Sequence, residues 1–305
     1  MTSFALQTRS LTKTYGHGTR KVCAVDDLSL NVPSGSIYGL LGRNSAGKTT
    51  TIRMALGLAR PTSGSLEVFG LQPFDDPDRV TVLQQVGYVP EDKGLSVGTP
   101  RRLFETNRAY YPNTWSDALA RTLIERLELP LDTPGLKLSL GNRTKAALIC
   151  AIAQRSPLLI LDEPTIGLDP VVLDTLLSIL VEECTSEGRT VFLSSHQLHE
   201  IERIADWIGI MDCGHLLLEG RLDDIRARFR RLTVSGTSLP QSSPSIVSTR
   251  PSGHGTEYIL QQDPEAFAAD LARNGATILD TAPLSLNDIF LELCRTRENK
   301  KEVMA

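Results

Sequence analysis

The sequence has no long hydrophobic run and no excess of basic residues. Its apolar stretches, such as residues 158–161, are far shorter than the ~20 residues of a membrane-spanning helix. The 305 residues carry 32 Lys and Arg against 36 Asp and Glu, a formal net charge of -4. We therefore expect a soluble protein that reaches a membrane only by docking onto another chain, and we expect no nucleic acid partner.

Cysteine is also scarce, and residues 1–10 lack a basic segment followed by an apolar one, so we expect no signal peptide. The cysteines have no metal-ligand spacing, which argues against a zinc site. They suit a reducing compartment, with most of them buried as unreactive thiols. The five are Cys23, Cys150, Cys184, Cys213 and Cys294.

The periodicity of the sequence predicts two domains, a larger α/β domain over residues 1–232 and a small α+β domain over residues 233–305. Residues 94–154 of the larger domain are mostly helical in pattern, and residues 235–255 have the Ser, Pro and Gly content of loops or a linker. Predicted strands cover residues 4–8, 25–32, 37–41, 158–161, 190–194, 207–212, 215–219, 257–260 and 277–280. Predicted helices cover residues 49–58, 101–111, 116–127, 143–154, 171–187, 197–205, 221–231, 264–274 and 286–294.

Residues 42–49, Gly-Arg-Asn-Ser-Ala-Gly-Lys-Thr, have the spacing G-x-x-x-x-G-K-[ST] of a phosphate-binding loop. Glycine supplies the dihedrals that let successive N–H groups point at phosphate oxygens, and the following helix presents its positive end. Lys48 can reach the β- and γ-phosphates, and the Thr49 hydroxyl can ligate Mg²⁺. An ordinary glycine turn is the alternative, but the position between a buried strand and a helix favours the phosphate loop.

Asp162 and Glu163 stand where the apolar strand 158–161 ends. A carboxylate at the tip of a buried strand is costly unless it faces a cation or a solvent cleft. Beside a phosphate loop, Asp162 is predicted to hold Mg²⁺ directly or through water, and Glu163 to polarise the water that attacks the γ-phosphate. The alternative is a strand that simply ends in a polar turn.

Four motifs, in this order, resemble those of ATP-binding-cassette (ABC) ATPases: residues 42–49, residues 158–163, Gly-Leu-Asp-Pro at 167–170 and Ser-Ser-His at 194–196. The similarity covers residues 6–232 and is greatest to the single-cassette ATPase subunits of ABC-2-type exporters. Residues 284–290 resemble the C-terminal extension of that group. The resemblance implies a P-loop NTPase (RecA-like) core with an N-terminal antiparallel β subdomain and a helical subdomain. The small C-terminal α+β domain is an appendage to this core.

The same resemblance implies roles for three residues outside the phosphate loop. Tyr15 would stack on adenine, His196 would contact the γ-phosphate, and Asp169 would cross to a partner cassette. Tyr15 is alternatively a surface tyrosine in a turn, and His196 a structural histidine. The predicted catalytic residues are then Glu163, His196 and Lys48.

The family's signature, Leu-Ser-Gly-Gly-Gln, aligns with Leu-Ser-Leu-Gly-Asn at residues 138–142. Ser139 and Gly141 keep a hydroxyl and a backbone N–H at a helix start, where they would serve the nucleotide of the opposite subunit. Leu140 restricts the backbone where glycine is usual, and Asn142 reaches less far than glutamine. These changes are able to slow turnover without abolishing it, and a plain serine N-cap is the alternative reading of the motif.

Two further positions depart from the family pattern. Ser45 replaces a usual glycine in the phosphate loop, where its small side chain should be tolerated. Glu91 stands where the family more often has glutamine; its carboxylate can ligate Mg²⁺ or orient water, but it adds negative charge near the phosphates.

The predicted ligands are therefore ATP and Mg²⁺. We predict that Thr49, Asp162 and Glu91 hold the metal. Nucleotide contacts are predicted at Tyr15, Gly42, Arg43, Asn44, Ser45, Ala46, Gly47, Lys48, Thr49, Thr50, Glu91, Ser139, Gly141 and Asp169.

The resemblance implies an ATP-hydrolysing exporter subunit that works as a homodimer, or as a heterodimer with a second ATPase subunit. Membrane-spanning permease subunits on separate chains would hold it in the cytoplasm, against the inner face of the cell membrane. A non-transport cassette is one alternative, and a low-activity regulatory cassette in a heterodimer, suggested by the altered signature, is another. The aromatic residues of the helical region either pack internally or contact the permease.

Overall fold

In the computed structural model of the protein, the described residues are 3–16, 18–93, 98–236, 239–240, 243–253 and 255–304. They form two compact units, Met1–Glu219 and Gly220–Ala305. Residues 94–97, where the predicted helical region begins, lie outside the described residues.

The first unit contains both strands and helices. Its strands are β1 (Phe4–Tyr15), β2 (Val22–Leu28), β3 (Asn31–Pro33), β4 (Ile37–Gly42), β5 (Ser63–Val68), β6 (Val86–Val89), β7 (Leu158–Asp162), β8 (Thr190–Ser195), β9 (Trp207–Asp212) and β10 (His215–Arg221). Its helices are α1 (Lys48–Ala55), α2 (Asp76–Gln84), α3 (Pro100–Tyr110), α4 (Asp117–Arg126), α5 (Leu140–Ala153), α6 (Pro170–Glu187) and α7 (Leu198–Ile201), with 3₁₀ turns at Gly18–Arg20 and Gly135–Lys137.

A six-stranded sheet with the order β10-β9-β4-β8-β7-β6 positions the site. Strand β4 runs parallel to β8 and β9, and β7 runs parallel to β8 and β6. Every residue of β4, β7 and β8 is buried, because the sheet is covered on both faces, and the runs 37–41 and 158–161 are therefore mainly apolar rather than alternating. Parallel strands end at the same edge, so the end of β4, where the phosphate loop begins, lies near the acidic end of β7.

A separate antiparallel sheet is built around β1, which pairs with β2, β3 and β5. This is the N-terminal β subdomain that the resemblance implied. Helices α3 and α4 both pack against α5. Among the aromatic residues of this helical region, the rings of Phe104 and Trp115 lie 6.3 Å apart, which supports internal packing, whereas Tyr110 is 78% exposed.

The second unit contains α8 (Leu222–Arg228), β11 (Phe229–Ser235), β12 (Ile246–Ser252), β13 (Gly255–Gln261), α9 (Pro264–Arg273), β14 (Thr277–Pro283) and α10 (Leu286–Met304). The strands form an antiparallel sheet with the order β12-β13-β11-β14. Leu232, Val234, Tyr258, Leu260 and Leu271 make its apolar core.

Two features of this unit differ from the sequence-based expectation. The helix predicted over residues 221–231 ends at Arg228, because Phe229, Leu232 and Val234 are buried in β11, which pairs with β13 and β14. The two compact units divide between Glu219 and Gly220, within β10, and the domain boundary predicted after residue 232 lies within β11. Residues 246–252 of the predicted linker also form a strand.

Candidate active site

Residues 43–47 of the phosphate loop join β4 to α1, and the chain is closely packed at the loop's two glycines, Gly42 and Gly47. A Cβ at Gly42 would lie 2.5 Å from the Met211 carbonyl oxygen, and one at Gly47 would lie 2.5 Å from the Ala24 carbonyl oxygen. Gly47 also has a φ of 107°, a value that favours glycine. Ser45 adopts a φ of 69° within the loop, so the serine that replaces a usual glycine still takes the left-handed conformation.

Lys48, the first residue of α1, is only 6% exposed. Its Nζ donates hydrogen bonds to the carbonyl oxygens of Gly42 at 2.7 Å and Arg43 at 3.3 Å. The same Nζ lies 3.3 Å from Oε1 of Glu163, which forms a buried ion pair. The ammonium group is thus held between the phosphate loop and the tip of β7.

Asp162, at the tip of β7, is fully buried. Its Oδ1 accepts hydrogen bonds from the hydroxyls of Ser194 at 2.6 Å and Thr49 at 3.3 Å. Its Oδ2 is buried and has no hydrogen-bond partner among the described residues. Burial raises the pKa of the Asp162 carboxyl, the hydrogen bonds from Ser194 and Thr49 oppose the rise, and the nearby carboxylates of Glu91 and Glu163 add to it.

The unpartnered oxygen of Asp162 fits a cation that is bound together with a ligand. The Thr49 hydroxyl also lies 3.5 Å from Oε2 of Glu91, so two carboxylates and a hydroxyl face one another. Oxygen ligands of this kind suit a hard divalent cation, which in phosphate sites takes further oxygens from the phosphates and from water. In the described part of the chain, no group of three or more His, Cys, Asp or Glu residues is arranged to hold a metal without such help.

Glu163 lies just past the end of β7 with a φ of 47°, an unusual conformation for a non-glycine residue. Its N–H donates to Oγ of Ser194 at 3.1 Å. Its Oε2 lies 2.8 Å from Nδ1 of His196, and its Oε1 faces Lys48. The structure thereby brings together the three residues that the sequence analysis predicted as catalytic.

Lys93 also reaches this region, which the sequence analysis did not foresee. It is 4% exposed, and its Nζ donates to the carbonyl oxygens of Asp162 and Glu163, both at 2.9 Å. Burial lowers the pKa of Lys93 to about 8, although the carboxylates of Asp162, Glu91 and Glu163 act in the opposite direction. Nothing in the local sequence signals that this lysine is buried.

An open pocket of about 550 Å³ lies over the phosphate loop. It collects Tyr15, Glu91 and Glu163 with residues 44–50 of the loop and α1. Three residues missed by the sequence analysis, Val22, Cys23 and Ala24, line the same pocket. They face it because β2 pairs with β1, with Val22 opposite Tyr15, and no sequence motif reveals that register.

The peptide of Gly214, in the turn between β9 and β10, connects two walls of this pocket. Its N–H donates to the Ala46 carbonyl oxygen in the phosphate loop at 2.9 Å, and its own carbonyl oxygen accepts from the Asp26 N–H in β2 at 2.8 Å. The phosphate loop and the β1–β2 wall are therefore joined through main-chain hydrogen bonds.

Among the described residues, Ser139, Gly141 and Asp169 are not part of the lining of this pocket. Ser139 caps α5 by accepting from the Asn142 N–H at 3.2 Å, and Asp169 caps α6 by accepting from two N–H groups at 3.0 Å. A Cβ at Gly141 would lie 2.6 Å from the Gly167 carbonyl oxygen, so the signature motif packs against the 167–170 segment.

Comparisons with known proteins agree with this geometry. The family described as "ABC transporter" matches residues 25–166. The chain is 34% identical over 313 residues to the bacitracin transport ATP-binding protein BcrA of Enterococcus faecalis, covering 95% of this chain and 96% of that protein. It is 32% identical over 308 residues to the Nod factor export ATP-binding protein I of Sinorhizobium fredii, covering 95% of this chain and 85% of that protein.

Solved structures show the same fold. A dimeric ATP-binding cassette in a post-hydrolysis state, bound to ADP and Pi, matches with a TM-score of 0.65 at 21% identity, covering 71% of this chain and 98% of that one. Among the described residues, no helix has both the length and the apolar character needed to cross a membrane. The phosphate loop of this chain and the acidic tip of β7 face one pocket, and its relatives match nearly its whole length. The chain therefore belongs to the ABC transporter family and is an ATP-hydrolysing subunit.

Proposed function

We propose that this chain hydrolyses Mg·ATP in the pocket above residues 44–50, and that the reaction needs a second cassette. The observation that carries the proposal is the convergence of Lys48, Asp162, Glu163 and His196 at one edge of the parallel sheet. Phosphoryl transfer to water requires a loop that binds phosphate, a cationic group such as the buried Lys48 ammonium, and a carboxylate that accepts a proton.

Glu163 acts as the general base in this proposal. Its Oε2 is 2.8 Å from His196, which orients the carboxylate, and its Oε1 is 3.3 Å from Lys48. On nucleotide binding, Lys48 turns from the loop carbonyls and Glu163 towards the β- and γ-phosphates. Glu163 then exchanges this ion pair for a hydrogen bond to the attacking water and accepts its proton.

Thr49, Asp162 and Glu91 would hold Mg²⁺ beside the phosphates. The unpartnered Oδ2 of Asp162 supports this role, because a buried carboxylate oxygen without a donor favours a cation in its place. When bound, the ion neutralises charge that builds up on the phosphate oxygens.

Tyr15, which lines the pocket, is proposed to stack on the adenine. Its side chain is 40% exposed and lies under Nζ of Lys13, 4.9 Å from the ring centroid. An exposed aromatic face beside the phosphate loop is suited to a flat, polarisable base.

A second cassette would complete the site. Ser139, Gly141 and Asp169 are arranged at the starts of α5 and α6 rather than in the pocket, which supports a role towards the nucleotide of a partner. Helix starts with free N–H groups favour anions, so the α5 start would meet the γ-phosphate held by the opposite subunit. Such a dimer encloses the nucleotide and excludes water, which strengthens the electrostatic interactions there.

We further propose that the dimer serves export, with permease subunits on separate chains that hold it at the inner face of the cell membrane. The similarity to ATP-binding proteins named for bacitracin transport and Nod factor export supports this role. Glu91 links the pocket to the segment that leads to α3, so movement of the helical region would accompany closure over the nucleotide.

The test is Glu163→Gln, with Glu125→Gln on the exposed side of α4 as the matched control. We expect Glu163→Gln to bind Mg·ATP with unchanged affinity and to lower kcat at least about tenfold, because removal of a general base typically costs two to four orders of magnitude. Phosphate release and nucleotide titration measure the two quantities. Wild-type turnover in Glu163→Gln, or an equal loss in Glu125→Gln, would contradict the proposal.

A further inference from the structure

Lys93 occupies a costly position that the proposed catalytic roles do not use. An ammonium group that is 4% exposed gives up most of its hydration, and such burial is found where hydrogen bonds and opposite charges compensate for the loss. Lys93 directs Nζ at two main-chain oxygens, those of Asp162 and Glu163. It therefore contacts the backbone of the acidic pair and leaves the carboxylate oxygens free for other partners.

The residue that Lys93 holds is in an unfavourable conformation. Glu163 has a φ of 47°, and a non-glycine residue in the left-handed region costs about 1–3 kcal/mol unless its surroundings hold it there. Two contacts hold the main chain of Glu163: Ser194 accepts its N–H at 3.1 Å, and Lys93 donates to its carbonyl oxygen at 2.9 Å. In this conformation the Glu163 side chain faces Lys48 and His196.

Lys93 also belongs to the segment that follows β6 and leads towards α3. Glu91, two residues earlier, lies 3.5 Å from the Thr49 hydroxyl, so the same short segment contacts both the phosphate-loop helix and the tip of β7. Strand β6 pairs with β7 up to Val89 and Leu161, which fixes where this segment begins.

We propose that Lys93 is a positioning residue for hydrolysis, whose hydrogen bond to the Glu163 carbonyl oxygen holds the main chain of Glu163 in its strained conformation. The inference rests on the proposed function of Glu163 as the base. Hydrolysis is fast while Nζ contacts the Asp162 and Glu163 carbonyl oxygens. It slows when these two hydrogen bonds are lost, even though Mg·ATP still binds.

The experiment compares Lys93→Met, Lys93→Arg and the exposed-site control Lys21→Met in the full-length chain. Lys93→Met keeps an unbranched apolar chain one atom shorter and removes the donors; Lys93→Arg keeps the charge and can donate to two oxygens. We expect Lys93→Met to lower kcat about tenfold, as for the loss of charge-assisted hydrogen bonds, while KM and the Kd for Mg·ATP change less than about twofold. Lys93→Arg should recover most of the lost kcat, and Lys21→Met should match the wild type.

The outcomes separate the two proposals. If Glu163→Gln abolishes turnover but Lys93→Met retains the wild-type kcat, the positioning role fails and the function of Glu163 stands. If Glu163→Gln retains turnover, the proposed function itself fails. The positioning role is also overturned if Lys93→Met raises the Kd for Mg·ATP as much as it lowers kcat, or if Lys93→Arg does not recover kcat. Lys93→Gln, which keeps a shorter N–H donor, serves if Lys93→Met does not fold, and an intermediate kcat with unchanged Kd is then expected.

Discussion

Ser194 offers a direct measure of how much the acidic strand tip depends on its neighbours. Its hydroxyl is fully buried, donates to Oδ1 of Asp162 at 2.6 Å and accepts the Glu163 N–H at 3.1 Å. The substitution Ser194→Ala removes both hydrogen bonds and changes little else, because alanine occupies almost the same space. The two residues that lose a partner are the proposed metal ligand and the proposed base.

The size of the effect follows from those two contacts. A hydrogen bond to a charged group contributes about 1.5–3 kcal/mol, and a buried N–H left without an acceptor costs about 1–3 kcal/mol. Asp162 keeps the Thr49 hydroxyl at 3.3 Å, so part of the first loss is offset. We therefore expect Ser194→Ala to lower the free energy of unfolding of the first unit by about 2–4 kcal/mol.

Tryptophan fluorescence suits this measurement, because both tryptophans, Trp115 and Trp207, belong to the first unit. Urea unfolding of the wild type and of Ser194→Ala, without nucleotide or divalent cation, gives the difference in the free energy of unfolding. Ser178→Ala is the control, since Ser178 is exposed on α6 and donates only to the Asp174 carbonyl oxygen. A loss below about 0.5 kcal/mol, the range of ordinary surface substitutions, would refute the reasoning.

Two further predictions concern the same pocket. Lys48→Ala should weaken Mg·ATP binding at least about tenfold in a nucleotide titration, because an ion pair with phosphate is lost; an unchanged Kd would contradict the role of Lys48. Burial raises the pKa of Asp162 above its ordinary value of 3.8, so the folded state keeps a proton that the unfolded state releases. Without divalent cation, the wild type should therefore lose stability relative to Asp162→Asn as the pH rises from 3.8 towards that raised pKa. Urea unfolding at a series of pH values measures the free energy of unfolding of both proteins. The prediction is contradicted if that free energy changes with pH by the same amount in the two.

The sequence predicts those parts of the site that depend on contiguous residues. The phosphate loop is a single eight-residue motif, and the acidic pair is marked by its place at the end of an apolar strand. Because β4 and β7 are parallel strands of one sheet, their ends meet, and these two local predictions become one pocket. The strand and helix patterns predicted the α/β class, and the resemblance to ABC ATPases implied the P-loop core and the antiparallel subdomain; the fold is confirmed.

Other parts depend on register and on long-range burial, which a local pattern does not contain. Val22 and Cys23 line the pocket because of an irregular pairing between β1 and β2. Lys93 follows two acidic residues in a polar stretch, which is typical of a surface turn, yet its amine is buried against β7. Residues 226–230 alternate charged and apolar side chains, so the end of α8 and the start of β11 cannot be distinguished by periodicity alone.

The peptide of Gly214 joins the phosphate loop to β2, and one consequence concerns how this cassette tolerates sequence change. Through these two hydrogen bonds, the turn between β9 and β10 ties the spacing between the phosphate loop and β2 to main-chain atoms. Drift at positions such as Val22 can then alter preference among nucleotide bases without disturbing the phosphate end. An insertion or deletion in that turn would instead shift the base-binding wall relative to the phosphates, and would impair every nucleotide alike.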